Sequence, residues 1–209
     1  MSLKKAIEFL VETLGEIEIP AGELKTKEDK IREVYEEASR CKKCPLWRGR
    51  KKMVFGHGNP YSRVLFVGEA PGEDEDRIGI PFVGRAGSKL AQIMLKYGIK
   101  RENIYITNTL KCRPPSNRDP KPEELQECFK YLKKQIEIIS PAIILCLGRY
   151  ASLVILGEKR GISYLRQGEF YRFGARIFVT YHPSAILRKP NLTPLFEEDI
   201  ERVSKLILK

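Results

Sequence analysis

A chain of 209 residues with 42% hydrophobic residues can bury one substantial core and is marginal for two. Charged residues make up 31%, and 38 Lys and Arg against 27 Asp and Glu give a net charge of +11 and a pI near 9.4, a balance that favours a polyanionic partner. No apolar run approaches the roughly 20 residues that span a bilayer, and the opening MSLKKAIEFLVETLGE sets acids inside a helical pattern instead of an apolar signal region, so a cytosolic protein without a membrane partner is expected.

Residues 3–15 read as a first helix and residues 17–25, with Pro20 and Gly22, as a connector. Residues 27–39 read as a second helix that stops just before Cys41. The first 40 residues are expected to form an N-terminal helical extension on a main domain of residues 41–209. RVLFVG, residues 63–68, is an apolar strand followed by a loop of Gly, Pro and acids. Residues 86–97 form a helix with Gly98 as its cap, residues 103–109 a strand, residues 114–122 a proline-rich loop and residues 123–139 a long helix. AIILCLG, residues 142–148, is a second buried strand, followed by a short helix over 149–156. A hairpin over 169–181 turns at Gly174 and runs into His182, and a last helix covers 195–208. Strands alternating with helices predict a three-layer α/β domain with a mainly parallel sheet. Ligands of such sheets sit beyond the carboxyl ends of the strands. The loops after Val67, Thr107 and Tyr181 lie there.

Five cysteines are an odd count, and a disulfide framework is not expected in a cytosolic chain of this size. Cys41 and Cys44 form a C-x-x-C that places two thiolates on one metal or cluster corner, and Cys112 and Cys128 can complete a four-thiolate set. Zinc and an iron–sulfur cluster use the same inventory, so spacing leaves both open. Cys146, in the middle of AIILCLG, reads as a small core residue.

Three further segments carry chemistry. GEAPGEDEDRIGIPFVGRAG, residues 68–87, begins with small residues that let backbone N–H groups approach a ligand. Loops of this kind are commonly solvated turns, and Phe82 taken alone is an ordinary core or staple residue. NTLKCRPPSNRDP, residues 108–120, is a stiff loop in which Arg113 and Arg118 suit phosphate contact. YHPSAILR, residues 181–188, holds one of only two histidines, and Pro183 fixes its turn. An isolated histidine is more often a structural hydrogen-bonder than a catalyst, and His57 is assigned that part. Ala185, Ile186 and Leu187 beside Arg188 and Lys189 suit an apolar wedge with cations for the flanking phosphates.

Taken in order, Cys41-Lys42-Lys43-Cys44, GEAPGEDED with PFVGRAG, NTLKCRPP with Cys128 downstream, and HPSAILR resemble the family 4 uracil-DNA glycosylases. The resemblance runs from Cys41 to the C-terminus. It implies an α/β/α sandwich around a four-stranded, mainly parallel sheet, and a DNA-repair enzyme that hydrolyses the N-glycosidic bond of uracil in DNA, acting as a monomer. It further implies a [4Fe–4S] cluster on Cys41, Cys44, Cys112 and Cys128. On this reading Gly68 to Ala70 line the uracil pocket, Phe82 stacks on the flipped base, Asn108 reads its edge and His182 faces the uracil O2. Glu75 sits near the C5 edge, where thymine carries a methyl. Related families place a catalytic Asp where this chain has Ala70, so the resemblance implies a member that works without that carboxylate, with Glu69 as a candidate for positioning water. Arg113, Arg118, Leu187, Arg188 and Lys189 are the expected DNA contacts. The rival reading, a metal-stapled nucleic-acid-binding domain without enzymatic activity, accounts for the charge and the cysteines but not for Phe82, Asn108 and His182 at strand ends.

Overall fold

The structure, a computed structural model, describes residues 25–207. The expected first helix over 3–15 and nearly all of the connector lie outside them. Helix α1 (Lys27–Ser39) begins with a capping box in which Thr26 and Asp29 satisfy each other's backbone N–H. Then follow strands β1 (His57–Gly58) and β2 (Val64–Gly68), helices α2 (Glu73–Ile78) and α3 (Arg85–Lys96), strand β3 (Tyr105–Asn108), helix α4 (Pro122–Ile139), strand β4 (Ile143–Leu147), helices α5 (Arg149–Leu156) and α6 (Ile162–Leu165), the hairpin β5 (Phe170–Arg172) and β6 (Ala175–Thr180), and helices α7 (Pro183–Arg188) and α8 (Thr193–Ile207). The acidic run expected in a loop forms α2 instead. Four acids in its first turn complement the helix N-terminus.

The sheet has six strands in the order β1-β3-β2-β4-β6-β5. The four central strands are mutually parallel, as expected, and β1 and β5 add two short antiparallel edges. Both faces are covered because β2 and β4 are apolar throughout and the apolar residues of the four central strands sort to the two faces by alternation. Val64, Phe66, Ile106, Leu145 and Phe178 face α3 and α8. Leu65, Val67, Ile144, Cys146 and Val179 face α4, α5 and α6. Cys146 is a fully buried core residue, as the sequence suggests. Helix α1 packs on α4 through Val34 and Ala38 against Phe55 and Tyr131, so this part of the N-terminal region is docked on the domain.

The topology decides where a site can form. The chain leaves β2 for β3 on one side and returns to β4 on the other, so the crossovers cover opposite faces and the strand order reverses beside β2. At the carboxyl end of that crevice the register sets Gly68 beside Asn108 and Leu147 beside Thr180.

Candidate active site

Three loops leave the sheet at this end and share one cleft. It is lined by Glu69, Ala70, Glu75, Phe82, Asn108, Arg118, His182, Leu187 and Arg188, with Pro71, Asp74 and Asp119 among their neighbours. The structure thus joins Glu69 and Arg188, 119 positions apart in the chain. Arg113 and Lys189 stand outside the lining.

Gly68 is the hinge of the arrangement. A Cβ there would stand 2.4 Å from Asn108 Oδ1 and 2.4 Å from Phe82 Cζ, so only glycine lets the ring and the amide meet above the end of β2. Asn108 is 1% exposed, and its Oδ1 is buried without a hydrogen-bond partner among the described residues. Leaving such an acceptor unpaired costs roughly 1–3 kcal/mol. The loops after β2 and β3 are laced together. Thr109 N–H donates to Gly68 O at 2.9 Å, while Leu110 N–H (3.0 Å) and the Thr109 hydroxyl (2.6 Å) both donate to Glu69 O. With its backbone held, Glu69 presents its carboxyl to the cleft. Burial, reinforced by Asp119, raises that carboxyl to about 7 against the pull of Arg149 and Arg188.

His182 caps the start of α7. Ser184 N–H donates to its Nδ1 at 3.2 Å, and the Ser184 hydroxyl lies 2.8 Å from the same nitrogen. A backbone N–H can only donate, so Nδ1 is the acceptor and the ring proton resides on Nε2. Burial, with Arg188 nearby, lowers the imidazole to about 4, so the ring is neutral at ordinary pH. Its centroid lies 5.9 Å from that of Phe82. A Cβ on Gly148, whose φ is +92°, would come within 2.8 Å of His182 Cβ, so the end of β4 also needs glycine. Ser184 was missed in the sequence, although its place two residues after the histidine is the signal for this bond.

Phe82 adopts φ +56°, a left-handed conformation that costs a bulky residue on the order of 1–3 kcal/mol. Glu75 lines the cleft with its carboxylate engaged. It accepts from Gly72 N–H at 3.1 Å, Val83 N–H at 3.0 Å and Gly84 N–H at 2.8 Å, which joins the starts of α2 and α3. Arg101, for which the sequence offers no signal, donates to Phe82 O at 3.1 Å and to Pro81 O.

The arginines expected on phosphates differ in kind. Arg118 is paired bidentately with Glu124 at 2.6 and 2.9 Å, and Glu124 in turn accepts from Lys121 N–H at the start of α4. Arg113 donates to Asn117 Oδ1 at 2.8 Å and reaches Glu73 at 3.4 Å. Arg188 and Lys189 are exposed at the end of α7, and Leu187 beside them is 45% exposed.

Behind the cleft, Cys41, Cys44, Cys112 and Cys128 line one cavity with Lys43, Trp47, Arg50, Lys111 and Tyr131. Burial pushes the Cys128 thiol up to about 12 and raises Cys112 and Cys44, and neighbouring thiols raise all three further. Arg50 approaches Cys112 Sγ at 3.4 Å and donates to Ser39 O. Lys111, 2% exposed, donates to Thr107 Oγ1 at 2.6 Å, Gln135 Oε1 at 2.6 Å and Asn108 O at 2.8 Å, so the cavity wall and the strand end carrying Asn108 are one piece.

Residues 55–203 match the family model described as the uracil DNA glycosylase superfamily. The chain is 43% identical to a type-4 uracil-DNA glycosylase of Sulfurisphaera tokodaii over 191 residues, 86% of each chain. It is 42% identical to one of Archaeoglobus fulgidus over 85% of this chain and 94% of the relative, and 43% identical to one of Thermotoga maritima over 88% and 98%. The chain belongs to the uracil-DNA glycosylase superfamily and, within it, to the type-4 family.

Proposed function

We propose that this chain excises uracil from DNA, hydrolysing the N-glycosidic bond and leaving an abasic site. The observation that carries the reading is the buried Oδ1 of Asn108, without a partner among the described residues, beside the Phe82 ring. Uracil offers an N3–H donor next to an O4 acceptor, so one amide satisfies both through its carbonyl and its NH₂. Cytosine reverses the pattern and would leave the amide and the base unpaired, a mismatch worth ~10⁴-fold or more in rejection. The nucleotide must leave the duplex stack to reach this floor, at a cost of a few kcal/mol. Phe82 then stacks on it, and Glu75 is assigned to the edge carrying C5.

As the N1–C1′ bond breaks, its electron pair leaves with uracil and negative charge grows on O2. His182 Nε2–H is the donor for that charge, a device worth about 3–4 kcal/mol in a dry pocket. Because the ring is already neutral with its proton on Nε2, it needs no change of state. Ionised Glu69 orients the water that adds to C1′ and accepts its proton. Leu187 enters the stack while Arg188 and Lys189 hold phosphates. Arg113 and Arg118 shape the loop beside the DNA, and their contribution to phosphate binding competes with their ion pairs.

The donor set around the second cavity, four thiols in one cavity, fits a [4Fe–4S] cluster, which Cys41, Cys44, Cys112 and Cys128 would hold. Bound there, the cluster supplies a cross-link between the segment before β1 and the loop and helix after β3. The test of the function is incubation with an oligonucleotide containing one uracil, followed by alkali. Strand cleavage at uracil, and none at cytosine or thymine, is expected; an intact uracil strand would overturn the reading.

A further inference from the structure

We infer that Arg101 is a positioning residue for uracil recognition, acting with Glu75 to lock the Phe82–Val83 peptide and so to hold the Phe82 ring at its stacking angle. The inference rests on the reading that Phe82 stacks on the flipped base. Arg101 stands on the 3₁₀ turn (Arg101–Asn103) before β3, on a different segment from the loop it grips. Its guanidinium donates to two successive carbonyls, Phe82 O at 3.1 Å and Pro81 O. From the other side Glu75 Oε1 accepts from two successive N–H groups, Val83 at 3.0 Å and Gly84 at 2.8 Å. The peptide unit between Phe82 and Val83 therefore has its oxygen on a cation and its hydrogen on an anion.

That polarity matters because Phe82 sits at φ +56°, where a bulky residue is held only if its surroundings demand it. Relaxing φ at Phe82 requires the Pro81–Phe82 peptide to turn, which takes Pro81 O off Arg101, and turning the Phe82–Val83 peptide with it would bring that carbonyl towards Glu75 and that N–H towards Arg101, like-polarity contacts in place of charge-assisted bonds. Gly87 closes the third side: a Cβ there would come within 2.1 Å of the Phe82 carbonyl carbon and oxygen. Arginine suits the task because its planar fork spans two acceptors at once, which an ammonium cannot do in the same geometry. A guanidinium meant for phosphate would be exposed; this one is half-buried and spent on the loop.

The test is a double-mutant cycle on the full protein, read as single-turnover excision and as inhibition by free uracil. Arg101→Met is expected to slow excision by about 10²-fold, the effect of a misplaced binding group. It should also weaken uracil inhibition by roughly 10-fold while leaving affinity for an abasic-site duplex unchanged. In a Phe82→Ala background the same substitution should cost less than about 2-fold, because the ring it positions is gone. Arg101→Lys should recover part of the loss, and it carries the cycle if Arg101→Met does not fold. Gly87→Ala, which displaces the Phe82 backbone with both charges in place, should weaken uracil inhibition in the same way. Equal cost in both backgrounds, or unchanged uracil inhibition with a lowered Tm, would overturn the clamp and leave the stacking reading standing. Unchanged excision and uracil inhibition in Phe82→Ala alone would remove the stacking reading and the clamp with it.

Discussion

Glu69 offers the sharpest test of the chemistry, because its protonation state is set by the fold. Burial and Asp119 raise its carboxyl to about 7, and His182 is lowered to about 4. If ionised Glu69 orients the water, single-turnover excision must rise with pH through about 7 and level off above it. At pH 6 about one molecule in eleven carries the carboxylate, so excision should run roughly 10-fold below its plateau. His182 stays neutral throughout and adds no limb above about pH 5. Glu69→Gln should lower the plateau and abolish the dependence, and Asp119→Asn should move the limb to lower pH. Stability supplies an independent reading. The folded value lies above the unfolded one, so the contribution of Glu69 is fully present below about pH 4.5 and is lost as pH rises through about 7. The loss is at most about 3 kcal/mol. Glu69→Gln should therefore raise Tm at pH 8 and leave it unchanged near pH 4. A limb near pH 7 that survives in Glu69→Gln would refute the assignment.

His182→Ala should slow excision by ~10²–10³-fold with duplex affinity nearly intact; Ser184→Ala should give a smaller loss in rate alone, since one of two contacts to Nδ1 remains, and equal losses in binding and rate would remove the histidine from catalysis. Cys112→Ser and Cys128→Ser should each lose absorbance near 400 nm and much stability, whereas Cys146→Ser should keep the absorbance; the reverse pattern would refute the ligand set. Asn108→Asp should lose most uracil excision, because a carboxylate only accepts and repels O4, and can gain slight activity on cytosine; unchanged selectivity with a lowered Tm would show a loop-capping residue instead. For DNA contacts, Arg188→Ala should reduce the salt slope of abasic-duplex binding by about one, while Arg118→Ala, which unpairs the buried Glu124, should lower Tm and leave the slope close to wild type; an unchanged slope for Arg188→Ala would refute its phosphate contact.

Much of this molecule could be read before any coordinates. Apolar runs such as VLFVG and IILCL carry their own burial on both faces, so the parallel sheet and its helical layers follow from local pattern. Gly68, Asn108 and His182 could be placed at strand ends by their neighbours in the chain, whereas the roles proposed for them rest on the family resemblance. The edge strand β1 was not legible, because two residues carry no period. Helix α2 was hidden by composition, since four acids in a row look solvated until the helix start that they complement is seen. What only the tertiary structure decided is which charges are free. Arg113, Arg118 and Arg188 look alike in sequence, yet Arg118 is committed to Glu124 and Arg188 is exposed. Arg101 and Glu75 find one peptide 26 residues apart in chain order. Such pairings depend on long-range approach across the fold, and a side chain's chemistry states what it can bond but not which partner the packing brings within reach.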